Sequence, residues 1–159
     1  PAGTVTAFWR GRVLVAQGNL LLASRSHQHE LHDPRRDFKQ FEKPITLIQP
    51  VDDGIYIGTE DELVFLAGTE FDKLQLVRVM RGRVVLGSGV SIPGKSIKLG
   101  EGVGQGAAMI CIVGGYLVAG FGGGTAVKLT EGKYVTSAAE VAATFRQIDG
   151  IPHYLAIPQ

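Results

Sequence analysis

Cysteine is nearly absent from this chain: Cys111 is the only one in 159 residues, which excludes a disulfide framework. It stands in the apolar run Ala107-Ala108-Met109-Ile110-Cys111-Ile112-Val113, where a thiol packs as a small hydrophobe. An excess of either charge is also missing. Sixteen Lys and Arg nearly cancel fifteen Asp and Glu, so no global field draws the chain toward nucleic acid or anionic lipid. No apolar stretch approaches the roughly 18 residues of a membrane span, and the Pro1-Ala2-Gly3-Thr4-Val5-Thr6 start has no basic n-region before an apolar core. Neither a signal peptide nor a transmembrane helix is expected. The first residue is Pro1 rather than Met, which fits a processing boundary or a larger parent protein.

What the chain has in quantity is glycine, 22 residues, about twice the usual share, set among 45% hydrophobic and only 19% charged residues. Such a chain turns often and buries what lies between the turns. No composition shift or linker divides it, so residues 1–159 are read as one domain. Short segments rich in Val, Ile, Leu and aromatics, bounded by Gly, Asp or Pro, predict an all-β fold of antiparallel hairpin repeats. Four hairpins are expected: 12–16 with 20–24 across Gln17-Gly18-Asn19; 54–59 with 63–68 across Glu60-Asp61-Glu62; 82–88 leading through Gly89 into 90–92; and 115–120 with 125–129 across Gly122-Gly123-Gly124. Their leading glycines, Gly11, Gly54, Gly82 and Gly115, are 43, 28 and 33 residues apart. An imperfect repeat of this size suits β-propeller-like blades, about four of them at roughly 40 to 50 residues each, closing alone or as part of a larger ring. Further strands are expected at 44–49, 74–79 and 107–113. The stretch 137–146 has two readings: a helix capped by Ser137 and Glu140, or a strand 141–145 pairing with 154–157 across Asp149-Gly150.

Candidate chemistry is sparse. Ser26-His27-Gln28-His29-Glu30-Leu31-His32-Asp33 holds three of the four histidines, and His27, His29 and His32 are the candidate metal ligands, weighed against a solvated connection ending at Asp33-Pro34. HExxH is absent. Gly102-Val103-Gly104-Gln105-Gly106-Ala107 matches the loose dinucleotide fingerprint, but a strand and not a helix is expected after it, so it reads as a loop. Gly122-Gly123-Gly124 lacks the Gly-Lys-Ser/Thr of a P-loop and reads as a turn. Arg35, Arg36 and Lys39 alternate with Phe38 and Phe41, a pattern able to hold a nucleic-acid backbone. Asp33, Asp37 and Glu42 offset that charge, so the segment reads as a surface connection pinned by two buried Phe rings. Trp9, Tyr56, Tyr116 and Tyr154 suit either sugar stacking or blade packing, the latter being the commoner use at strand positions. No catalytic residue is nominated: no Gly-x-Ser-x-Gly, Cys-x-x-Cys or evident Ser-His-Asp set occurs.

The wording Pro44-Ile45-Thr46-Leu47-Ile48-Gln49-Pro50-Val51-Asp52-Asp53-Gly54-Ile55-Tyr56-Ile57-Gly58-Thr59-Glu60, continuing through Phe65-Leu66-Ala67-Gly68, resembles β-propeller proteins encoded by tailed bacteriophages and prophages. The connection from Leu22 to Pro34 and the spacing of the later Gly82 and Gly115 segments are similar to that group as well. The resemblance runs from about Gly11 to Pro158 and rests on blade wording, not on a catalytic signature. It implies a non-catalytic structural protein of a virion or tail, found in the bacterial cytoplasm during assembly. It implies no cofactor, and as partners other virion or tail proteins or copies of the chain itself. It transfers no functional residues. A carbohydrate-binding propeller, with a glycan as partner, is the alternative reading, and a metal-dependent hydrolase the third.

Overall fold

A computed structural model describes residues 3–99, 102–103 and 106–159. The chain is all-β and antiparallel throughout its named sheets. Among the described residues no helix is long and apolar enough to cross a membrane.

The first sheet is a meander of β1 (Val5–Trp9), β2 (Arg12–Gln17), β3 (Leu20–Ala23) and β4 (Phe38–Gln40), in that order. The second repeats the plan with β5 (Ile45–Val51), β6 (Gly54–Thr59), β7 (Glu62–Ala67) and β8 (Gln75–Arg81). The third starts with β9 (Val90–Pro93) and makes a small excursion through the pair β10 (Lys98–Leu99) and β11 (Gly102–Val103). It then continues through β12 (Ala107–Val113), β13 (Tyr116–Gly120) and β14 (Ala126–Lys128). Last comes a two-stranded hairpin of β15 (Val141–Ile148) and β16 (Ile151–Pro158). The turn between them has positive φ at both Asp149 and Gly150, the type I′ geometry whose twist matches its flanking strands.

These units stack in chain order. Leu14, Leu21 and Ala16 of the first sheet share a core with Ile48, Ile57 and Leu66 of the second. The opposite face of the second sheet, with Leu47, Tyr56 and Phe65, packs on Met109, Cys111 and Val118 of the third. The far face of the third sheet, with Ile92, Ala108 and Ile110, meets Phe145 and Tyr154 of the hairpin. Burial along the strands records the layer positions. In β6 every residue is buried and in β12 all but the first, because both faces are covered, whereas β1 and β15 alternate between covered and exposed positions. The opening strands β1, β5, β9 and β15 lie along one side of the stack, and they begin at Val5, Ile45, Val90 and Val141, steps of 40, 45 and 51 residues.

Those steps correct the glycine-based repeat. The segments led by Gly11 and Gly54 hold the second and third strands of their sheets, but that led by Gly115 holds the third and fourth, one strand out of phase. All hairpins of a meander share the same local wording, so wording alone cannot tell an inner pair from an outer one. The expected hairpin at 82–92 does not form. Only 90–93 is a strand, and the preceding residues make single bridges, Val84 to Val113 and Leu86 to Glu140. That segment is wedged between layers: a Cβ on Gly58 would collide with Val84, and one on Gly87, which has φ +76°, would collide with the Val141 carbonyl oxygen. Ser88, wholly buried, pins it. Its hydroxyl donates to Val85 O (2.7 Å) and accepts from the Ile112 N–H (3.1 Å), while its own carbonyl accepts from Tyr154 Oη (2.7 Å). The strand reading of 141–145 holds and the helix does not form.

Candidate functional site

The three clustered histidines do not converge. They occupy the connection between β3 and β4, which folds back over the outward face of the first sheet. His27 takes φ +58° and packs against Gly11, His29 meets the Phe8 ring edge-on at 5.8 Å, and His32 Nδ1 pairs with Ala23 O at 2.9 Å. Among the described residues no three His, Cys, Asp or Glu side chains gather as metal ligands would.

The same connection is closed by charge. Arg12 Nη1 donates to Ser24 O (2.8 Å) and to Asp37 Oδ1 (3.2 Å), and Asp37 Oδ2 accepts from the Asp33 N–H. The basic run beyond it is largely engaged. Arg36 reaches Asp72 at 4.0 Å, and Lys39 lies 5.4 Å from the centre of the Phe71 ring, partial burial lowering its pKa. Of the two rings expected to pin this segment, Phe41 is buried but Phe38 is 40% exposed, because Phe38 lies on the outward face of the first sheet beside Leu22.

Two of the four candidate stacking rings, Trp9 and Tyr56, are buried. Tyr56 Oη donates to Phe121 O and Thr125 O across the second and third sheets, and burial raises its pKa. Tyr116 carries Lys128 over its ring at 4.7 Å, and Tyr154 is held by its bond to Ser88. Gly104 and Gln105 of the glycine-rich fingerprint lie outside the described residues, and a strand follows Gly106. Gly122–Gly124 forms the turn between β13 and β14, Gly123 donating its N–H to Asp53 Oδ2 at 2.6 Å. The adjacent Asp52 accepts from the Ala107 N–H and, through its carbonyl, from Arg10. These two carboxylates staple turns of neighbouring sheets to one another.

Concave places recur among the described residues, and two of them lie against the stacked sheets. A groove of about 370 Å3 runs along the opening strands, lined by Thr4, Thr6, Thr46, Gln49 and Glu140; Thr46 Oγ1 is buried there without a hydrogen-bond partner. A more apolar cleft of about 330 Å3 lies between the third sheet and the hairpin, bordered by Ile112, Leu117, Tyr134 and Ala156. Hydroxyls, one amide and one carboxylate can form hydrogen bonds in the groove, but neither place holds a nucleophile paired with a base.

The most distinctive surface is the outward face of the final hairpin. Ile148, Ile151, Leu155 and Ile157 are 41%, 61%, 37% and 66% exposed, although the opposite face is packed on the third sheet. The first sheet is likewise open at β1, where Phe8 is 63% exposed. Sequence reasoning passed over these positions, yet a signal was present: with His153 as the one polar residue, 151–157 carries Ile151, Leu155 and Ile157 on one strand face and Pro152, Tyr154 and Ala156 on the other, the pattern of a strand apolar on two sides. No family model, curated protein or solved structure matches the chain.

Proposed function

We propose that the chain is a non-catalytic structural protein of a tailed-phage virion or tail, its three sheets and final hairpin acting as propeller-type blades that present connections to partner subunits. The observation that carries this reading is a stack of like antiparallel sheets, with opening strands along one side, that ends in exposed apolar faces. Apolar faces of this kind mark protein contacts in soluble proteins. The steps of 40, 45 and 51 residues between opening strands match four-stranded blades, and the blade wording at 44–68 points to the phage group. Polar groups that would serve chemistry, among them Arg12, Asp37, Asp52, Asp53 and Ser88, bind backbone and close turns instead. Mass spectrometry of tailed particles purified from an induced host that carries the gene is the test. The chain should be recovered in fixed proportion to the tail proteins. Its absence from washed particles, while abundant in the lysate, would overturn the assignment.

A further inference from the structure

We propose that the groove along the opening strands is a binding site for a neutral polyhydroxyl ligand of the sugar type. The argument starts from the backbone of β1 and β5. The β1–β2 turn has positive φ at both Arg10 and Gly11, the two-residue type I′ geometry, which is closed by a hydrogen-bonded Trp9–Arg12 pair. Pairs alternate from there, so Thr6 stands in a non-hydrogen-bonded pair with Val15 and turns its N–H and C=O away from β2. On β5 the alternation is set by the bond from the Gly68 N–H to Asp53 O, which makes Gly54–Ala67 a non-hydrogen-bonded pair and turns the Gly54 backbone toward Val51. Counting back from Val51, Ile48 presents its N–H and C=O away from β6. Thr6 and Ile48 both line the groove, so it is bordered by backbone donors and acceptors that no strand pairs.

The side chains beside them are of the same mixed kind. Thr46 is the extra residue of a bulge, since Ile45 pairs with Thr59 and Leu47 with Gly58, and a bulge re-aims its side chain. Its Oγ1 is enclosed without a hydrogen-bond partner, so a turn about χ1 that brings the hydroxyl to a ligand gives up no bond. Gln49 adds an amide, donor and acceptor in one group, and Glu140 adds a carboxylate able to accept from two hydroxyls. Glu140 is the one charged residue among those that line the groove. That balance selects the ligand. An anion is repelled by Glu140. A cation answers the carboxylate but leaves the backbone and amide N–H groups without an acceptor, and among the described residues no cluster of His, Cys, Asp or Glu gathers to hold a metal ion. A hydroxyl both donates and accepts, so a neutral polyol meets every group present. Val5 and Leu86, half-buried in the groove walls, offer apolar contact to its C–H groups. The volume of about 370 Å3 lies at the lower end of the roughly 300 to 1,000 Å3 of small-molecule sites, which suits a single sugar unit or a short glycan end. None of the four candidate stacking rings takes part.

Proton–nitrogen correlation spectra of the intact chain, titrated in turn with glucose, galactose, mannose and N-acetylglucosamine, test this. At least one sugar should shift the Thr6 and Ile48 amide resonances saturably. Glu140→Ala changes an exposed side chain and Thr46→Val keeps the shape while removing an unpartnered hydroxyl, so both variants should retain the thermal transition of the parent. Glu140→Ala should weaken binding about tenfold to a hundredfold, and Thr46→Val about threefold to tenfold. No saturable shift with any of these sugars, shifts centred instead on the cleft at Leu117 and Tyr134, or a Glu140→Ala variant that binds as tightly as the parent would each overturn the site. Tetramethylammonium or inorganic phosphate binding more tightly than every sugar would overturn the ligand class. Recovery in particles is a separate measurement, so the sugar site and the virion assignment fail independently.

Discussion

Replacing Ser88 with Ala should destabilise the protein by about 2 to 3 kcal/mol, because its hydroxyl ties the connection at 82–89 to β12 of the third sheet. Ser88 is 0% exposed, and its Oγ is the acceptor for the Ile112 N–H near the end of β12. Without it that N–H is buried with no partner, at a cost of about 1 to 3 kcal/mol. The Val85 carbonyl loses less, since it still accepts from the Ser88 N–H at 3.2 Å. For a chain of this length each kcal/mol moves Tm by about 2 to 4 °C, so a drop of about 4 to 12 °C is expected. Urea denaturation followed by circular dichroism gives the free energy directly, and Ser91→Ala, at an exposed position of β9, serves as the control with a change within about 0.5 kcal/mol. If Ser88→Ala matches that control, the hydroxyl is not holding the wedge, and the account of how the connection at 82–89 is pinned to the third sheet fails.

Tyr56→Phe should cost about 1 to 2 kcal/mol in the same assay, because the Phe121 carbonyl loses its donor while Thr125 O keeps the Phe121 N–H; an unchanged midpoint would refute the link. Gly87→Ala should cost more than about 2 kcal/mol, through both its positive φ and the collision with Val141 O, and should speed amide exchange in β15 ahead of β6. Burial raises the pKa of Tyr56 and Tyr154 above the unfolded value near 10, so the unfolded chain sheds these protons first. Stability is therefore full below about pH 10 and falls above it, and tyrosinate absorbance from these two rings should appear only with unfolding. Cys111, buried and with its thiol pushed well above the usual range, should resist a disulfide-exchange reagent until the chain unfolds.

Strands were legible wherever pairing is local. Gly18-Asn19, Glu60-Asp61 and Asp149-Gly150 each sit between apolar segments and each becomes a turn, since a hairpin needs only its own residues to specify it. Position in the layers was not legible, because β2–β3 and β13–β14 carry the same local pattern although they occupy different places in their sheets. Val84-Val85-Leu86 was misread for a related reason. Its apolar residues answer to Gly58, Val113 and Glu140, partners from three separate segments, rather than to a neighbouring strand. The histidines illustrate the limit for sites, since the spacing of His27, His29 and His32 says nothing about convergence, and a positive φ at His27 turns the chain between them. The apolar second face of β16 was visible in the sequence but gains meaning only when one face is seen to be packed and the other bare.

The layered order is tested most directly by contacts between methyl groups in a selectively labelled sample, read by nuclear Overhauser spectroscopy. Leu14 and Leu21 should contact Ile48, Ile57 and Leu66, and Met109 and Val118 should contact Leu47 and Val51, the second sheet lying between the other two. Direct contacts from Leu14 or Leu21 to Met109 or Val118 would contradict it.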